Sequence, residues 1–169
     1  MLMQVLRGAH FRAVSRFVLP ICVLSLVACA EPMQPGTATV KKVVDGDTIE
    51  LRIGTSIETV RLLGVDTPET VHPHKPIECF GPEASTRTKE LLPHGTRVRI
   101  ERDVEARDHF GRLLLYVYVG EQMVNELLLR EGFARTLAIE PNTTHAERFE
   151  RVAAEARTAN AGLWESCRQ

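Results

Sequence analysis

Apolar and polar residues alternate from Thr48 to Ile53, with Ile49, Leu51 and Ile53 on one face, and this period of two predicts a β-strand. Strands are expected on both sides of it. Thr37 to Val44 is rich in threonine and valine and runs into an Asp45-Gly46 turn signal, while Gly54-Thr55-Ser56 turns the chain into a third strand over Ile57 to Leu63. Thr70 to Phe80 contains prolines and has no apolar period, so it reads as a loop. Gly81-Pro82-Glu83 then opens a helix to about Leu92, with proline suited to the first helical position and Ala84, Thr88, Leu91 and Leu92 on its buried side.

Two more strands are expected at Arg97 to Glu101 and Arg112 to Val119, followed by a short helix from Met123 to Arg130 that Gly132 stops. Thr144-His145-Ala146-Glu147 has the form of a capping box and announces a last helix, whose apolar stripe is Phe149, Val152, Ala153 and Ala156. Trp164 is expected to pack the end of the chain against the body. Five short strands, with one helix before the fourth and two after the fifth, predict an α+β, mainly β domain: a five-stranded Greek-key barrel of the OB-fold type with three helices. A chain of 169 residues with 44% hydrophobic content suits one such domain.

The amino-terminal segment changes the picture. Residues 1–28 contain Arg7, Arg12 and Arg16, no acid, and the apolar run Phe17 to Ala28, which is the layout of a secretory signal peptide. The run is interrupted by Pro20 and falls short of the about 20 apolar residues a membrane span needs. Leu26-Val27-Ala28-Cys29 resembles a bacterial lipoprotein cleavage box, in which Cys29 becomes the lipidated first residue; the alternative is a plain signal peptide cut near Ala28 or Ala30. Residues 29–36 read as a tether and residues 37–166 as the folded domain. The protein is therefore expected to be exported, held at the cell-envelope membrane if Cys29 is acylated and secreted if it is not.

Export has two consequences. An oxidising compartment predicts a Cys79–Cys167 bridge in preference to two free thiols. Without residues 1–28 the chain keeps 18 Lys and Arg against 22 Asp and Glu, a net charge of −4. That argues against a large basic face for nucleic acid, so a polyanion is expected to be held locally.

Candidate chemistry concentrates in Arg61-Leu62-Leu63-Gly64-Val65-Asp66-Thr67-Pro68-Glu69, where an apolar strand ends in a cation, two carboxylates and a helix-blocking proline. An arginine can clamp a phosphate with its planar fork, an aspartate can hold a hard cation, and a glutamate can orient or deprotonate water. Together they read as half of a phosphodiester-cleaving site. A hairpin centred near Thr55 puts Asp47 opposite about Leu63, within reach of a metal ion shared with Asp66. Alternation gives Val60 and Leu62 to the core and turns the Arg61 guanidinium to the other face. Two side readings arise: His72, His74 and Cys79 could bind zinc, though without regular spacing or a fourth ligand, and Asn142-Thr143-Thr144 matches a glycosylation sequon.

Three motifs in order, Asp45-Gly46-Asp47-Thr48, the Arg61 to Glu69 stretch and Asp108-His109-Phe110-Gly111-Arg112, make the chain resemble the staphylococcal nuclease, or thermonuclease, family. Phe80-Gly81-Pro82-Glu83-Ala84-Ser85, Val124-Asn125-Glu126 and Gly162-Leu163-Trp164 add to the likeness, which spans roughly residues 37 to 165. The resemblance implies an OB barrel with three helices and Ca²⁺-dependent hydrolysis of DNA and RNA that leaves 3′-phosphates; the expected partners are single-stranded or frayed DNA and RNA, and the chain is expected to be a monomer. It implies Asp47, Asp66 and the Thr67 carbonyl as calcium ligands, Glu69 as the group that orients or deprotonates water, and Arg61 and Arg112 as the phosphate clamp. Phe110 stands where the family commonly has a tyrosine and is expected to stack a base, whereas Leu137-Ala138-Ile139 replaces tyrosines. The alternative is a non-catalytic OB module that binds nucleic acid or an envelope partner through the same face.

Overall fold

The computed structural model describes residues 36–70 and 76–167. The expected signal peptide, Cys29, nearly all of the tether, and His72 and His74 lie outside the described residues. Strands β1 (Gly36–Val43), β2 (Thr48–Ile53) and β3 (Ser56–Leu62) form the expected meander, and β3 is followed by the short β4 (Gly64–Asp66). Helix α1 (Gly81–Leu91), β5 (Arg97–Glu101), β6 (Leu113–Val119), β7 (Gln122–Met123), α2 (Val124–Arg130), β8 (Arg135–Leu137), α3 (Ala146–Thr158) and the single turn α4 (Leu163–Ser166) complete the chain.

The main sheet runs β3-β2-β1-β5-β6-β7, and a parallel pairing of β3 with β6 joins its ends. Five strands thereby close into a barrel. Closure removes the exposed edges that would otherwise template further pairing, and a bulge between Val40 and Lys42 helps β1 bend around it. The barrel is mainly antiparallel, with helices packed outside it, as the strand pattern predicts.

The β2–β3 ladder runs one residue off the expected register. Thr48 faces Arg61, and the Leu62 N–H donates to the Asp47 carbonyl at 2.9 Å. The reason is a two-residue turn at Gly54-Thr55, where Gly54 takes φ 59°. Asp47 therefore still arrives beside the end of β3.

Alternation fails on β6, where Leu113 to Val117 are all buried, because one face fills the barrel and α2 covers the other. Val40, Ile49, Leu51, Val60 and Leu62 supply the rest of the barrel interior, all at 0% exposure. Fully buried Asn125 on α2 fastens the outer layer to the barrel: its amide donates to the Leu63 and Leu115 carbonyls and accepts from the Val117 N–H. α3 packs against α2 with the Phe149, Val152, Ala153 and Ala156 stripe read from its period. Half-buried Trp164 sits beneath the Arg157 guanidinium, 4.4 Å from its ring centroid.

The capping box is not formed. His145 occupies the cap of α3 without a side-chain hydrogen bond to the helix, its ring bonding Glu101 instead, and Thr144 donates its N–H and hydroxyl to Asp103, at 3.0 and 2.8 Å. Asp103 also accepts from the Tyr116 hydroxyl and the Val104 N–H. Asn142 in the sequon is 2% exposed and bonds the Glu105 backbone through both amide atoms, so it serves as an internal brace.

Burial alone would raise the Asp103 pKa, but the Thr144 and Tyr116 hydrogen bonds outweigh it and hold the carboxyl below its ordinary range. The folded value lies below the unfolded one, so this stabilisation is complete above the unfolded pKa and is lost as pH falls through the folded value. Asp103→Asn is therefore expected to cost about 1–3 kcal/mol at pH 7. Denaturant titrations should show the variant losing less stability than wild type on acidification below about pH 4.

Cys79 and Cys167 are joined, as expected, with Cα atoms 5.9 Å apart and 88 positions between them in sequence. The bridge ties the start of α1 to the end of α4, a restraint worth roughly 2–4 kcal/mol. It also uses the thiol that the zinc reading required.

Candidate active site

One end of the barrel opens into a cavity of about 310 Å³ lined by Asp45, Asp47, Arg61, Asp66, Thr67, Glu69, Glu78 and Arg112, among others. Six residues picked from the sequence thus meet in one place: Asp47, Arg61, Asp66, Thr67, Glu69 and Arg112. Four of them lie in the Arg61–Glu69 stretch, while Asp47 comes from the turn before β2 and Arg112 from the residue before β6, which is why no single stretch of sequence contains the whole site. Phe110 does not line the cavity; it stands beside it, 71% exposed, with the Arg112 guanidinium 5.3 Å from its ring centroid. Leu137 is 38% exposed and pairs with Gly64.

Asp47 is 8% exposed and is fixed from several sides. Its Oδ2 accepts the Thr67 N–H at 3.1 Å and hydroxyl at 3.2 Å, and its Oδ1 accepts the Thr48 hydroxyl at 3.0 Å. The turn carrying it is pinned to α1, since Thr88 donates its hydroxyl to the Gly46 carbonyl at 2.6 Å. Gly46 has no room for a side chain: a Cβ there would lie 2.5 Å from Thr67 Oγ1 and 2.8 Å from Thr67 Cβ. Gly46→Ala is expected to push Thr67 off Asp47 and slow turnover about a hundredfold, a rate ratio that steady-state assays would read directly.

Arg61 lines the cavity but is buried within it: Nη1 donates to the Leu62 and Val65 carbonyls, and Nη2 to Asp66 at 3.0 Å and Asp47 at 3.1 Å. Full hydrogen bonding is what makes a buried guanidinium tolerable. Both carboxylates touch one nitrogen, so their oxygens are no more than about 6 Å apart.

Arg112 is the accessible cation. Asp108 accepts its N–H and its Nε–H at 2.9 and 2.7 Å, and among the described residues its two terminal nitrogens have no hydrogen-bond partner. Burial works against the Asp108 charge, but Arg112 more than offsets it and holds the carboxyl below its usual range. The ion pair therefore persists through mildly acidic pH.

The acids repel one another. Burial raises the Asp66 carboxyl above its ordinary pKa, with Asp47 and Glu78 adding to the effect and Arg61 opposing it. Burial likewise raises Asp45, against hydrogen bonds from Thr70, and its contact with Glu69 raises it further. Five carboxyl groups face two guanidinium groups around this cavity, an imbalance that a cation would relieve. The donors are all oxygen, which suits a hard ion such as calcium and not zinc. Among the described residues no three acidic, histidine or cysteine side chains form a ready-made metal cage. The set therefore fits an ion held by Asp47, Asp66 and a backbone carbonyl, with water filling the remaining positions of its shell.

Asp45, Glu78 and Asp108 belong to the site but escape a residue-by-residue reading of sequence. Asp45 had a visible signal in its place two residues from Asp47. Glu78 had none, because only the folded chain returns it to the cavity.

A sequence model described as "Staphylococcal nuclease homologue" matches residues 59–166. The chain belongs to this family. As a staphylococcal nuclease homologue it is 44% identical over 126 residues to the thermonuclease of Staphylococcus intermedius, covering 75% of this chain and 74% of the relative. It is 41% identical over 128 residues to the thermonuclease of Staphylococcus hyicus, covering 76% and 75% of the two. Endonuclease YncB of Bacillus subtilis (strain 168) is also 41% identical over 128 residues, spanning 75% of this chain and 60% of the relative. The matched family segment begins after Asp47, and the hydrogen bonds from Thr67 and Arg61 are what attach that residue to it.

Proposed function

We propose that this nuclease is exported and hydrolyses phosphodiester bonds of DNA and RNA with Ca²⁺, leaving 3′-phosphates. The observation that carries the reading is the convergence of Asp47, Asp66, Glu69, Arg61 and Arg112 on one cavity. Asp47, Asp66 and the Thr67 carbonyl would hold the calcium ion, which when bound supplies Lewis-acid polarisation of the phosphoryl group. Glu69 orients a water and takes its proton. The water oxygen adds to phosphorus, the bond to the 5′ oxygen breaks, solvent protonates the departing 5′ alkoxide to a hydroxyl, and Glu69 returns its proton to solvent.

Arg112 offsets the charge that builds on the phosphoryl oxygens, and its unused terminal nitrogens suit that task. Arg61 would share the phosphate clamp with Arg112, and its Nη2 holds the Asp47 and Asp66 carboxylates close together for the cation. Phe110 offers an exposed ring on which a base can stack. The acidic charge of the mature domain makes affinity for long nucleic acid modest and steeply dependent on salt.

Glu69→Ser is expected to slow cleavage of single-stranded DNA about 10²–10⁴-fold, the usual contribution of general-base catalysis. Rates for the two proteins, with end-group analysis of the products, provide the test. A variant as fast as wild type would remove Glu69 from the reaction, and products ending in a 5′-phosphate would reverse the direction of cleavage. A protein that binds but never cleaves would be the OB binding module.

For export, the sequence of residues 1–28 and the Cys79–Cys167 bridge support an oxidising destination, with Cys29 acylated and anchoring a monomeric enzyme to the envelope membrane. Mass spectrometry of the mature amino terminus checks this directly. An unmodified start at Ala30 or Glu31 would exclude the anchor.

A further inference from the structure

We infer that the Cys79–Cys167 disulfide acts through Glu78 to position Glu69 in the cleft, making Glu78 a positioning residue for the reaction; this rests on the reading of Glu69 as the base. Glu78 and Glu69 are joined twice. The Glu78 N–H donates to the Glu69 carbonyl at 2.9 Å, and the Glu69 N–H donates to Glu78 Oε2 at 3.3 Å. These bonds fix the backbone on which the Glu69 carboxyl is mounted, and Glu78 itself lines the cavity.

The next residue along the chain, Cys79, carries the bridge. Its other end is well anchored. Cys167 closes α4 through its N–H to the Leu163 carbonyl, and Leu163, 1% exposed, donates its own N–H to the Gly132 carbonyl after α2. Gly132 and Gly162 lie so close that a Cβ on Gly132 would come within 2.1 Å of the Ala161 carbonyl oxygen. A rigid path therefore runs from the helical layer, through α4 and the bridge, to Glu78 and Glu69.

On the other side of Cys79, Phe80 takes φ 68° and stacks on Phe133 with ring centroids 5.4 Å apart. That contact fixes the start of α1. The bridge is a covalent restraint next to Glu78, which is hydrogen-bonded to Glu69.

The experiment is a double-mutant cycle on the full chain. Cys79→Ser/Cys167→Ser and Glu69→Ser are made separately and together, and calcium-dependent cleavage is measured well below each melting temperature. Loss of the bridge is expected to lower kcat about tenfold, with KM within about twofold, because a displaced base costs rate rather than binding. In the Glu69→Ser background it should cost almost nothing further. Reduction of wild type by dithiothreitol, which supplies two electrons and two protons and leaves two thiols, should reproduce the loss.

Peptide-level amide exchange across residues 69–79 should speed up when the bridge is gone, and Glu78→Gln, which keeps a side-chain oxygen, should lose less rate than Glu78→Ala. Unchanged exchange, a kcat within twofold of wild type, or an equal loss in both backgrounds would overturn the inference while leaving Glu69 as the base. A Glu69→Ser protein as fast as wild type would overturn the base assignment and the inference with it.

Discussion

Arg112→Ala is expected to lower the calcium-dependent cleavage rate by about 10³-fold or more, because it removes a cation that acts mainly on charge developed in the transition state. The effect should fall on kcat far more than on KM. Stability should change little, since the guanidinium is partly exposed and its ionic partner among the described residues is Asp108 within the same loop. Arg112→Lys keeps the charge but cannot keep both the Nε bond to Asp108 and a planar pair of free donors, so it should recover only part of the loss. Steady-state rates and melting curves on the three proteins check each part. A near-normal rate in Arg112→Ala would mean that another group performs this task.

Arg61→Ala should behave differently. Removing this buried guanidinium leaves Asp47 and Asp66 close together without the cation between them, and leaves the Leu62 and Val65 carbonyls without their donor. Breaking a buried ion pair from one side costs about 3–5 kcal/mol, and the half-exposed Asp66 places this case near the lower figure. Activity and stability should therefore fall together. Calcium should raise the melting temperature of the variant more than that of wild type, because bound cation would relieve the same repulsion. Thermal unfolding at several calcium concentrations measures both quantities, and equal shifts in the two proteins would separate Arg61 from the carboxylate pair.

The contrast between the two arginines also marks where sequence reading stops. Both are cations at strand ends, and alternation says of Arg61 only that it lies on the face opposite Val60 and Leu62. It is buried because two carbonyls and two carboxylates close around it, from Leu62 on its own strand, Val65 and Asp66 on β4, and Asp47 in the turn before β2. The strands β1, β2, β3, β5 and β6 were legible because each is long enough to show alternation or, as on β1 and β6, a run of β-forming residues. The two- and three-residue strands β4, β7 and β8 display none.

Thr144 makes the same point in another way. Its spacing to Glu147 fits a capping box, but Asp103, distant in sequence, offers two better acceptors once β5 and β6 are paired. The metal and phosphate candidates were legible because their chemistry is unusual at a strand end. Glu78 was not, because its role depends on a loop that closes back on Glu69.

The proposed chemistry depends most directly on the cation. Single-stranded DNA is incubated with wild-type protein in calcium, in excess chelator, and in chelator followed by excess calcium, across neutral to alkaline pH. The account predicts cleavage in the first case, none in the second, and full recovery in the third. Equal cleavage with and without chelator, or no cleavage under any of these conditions, would contradict it.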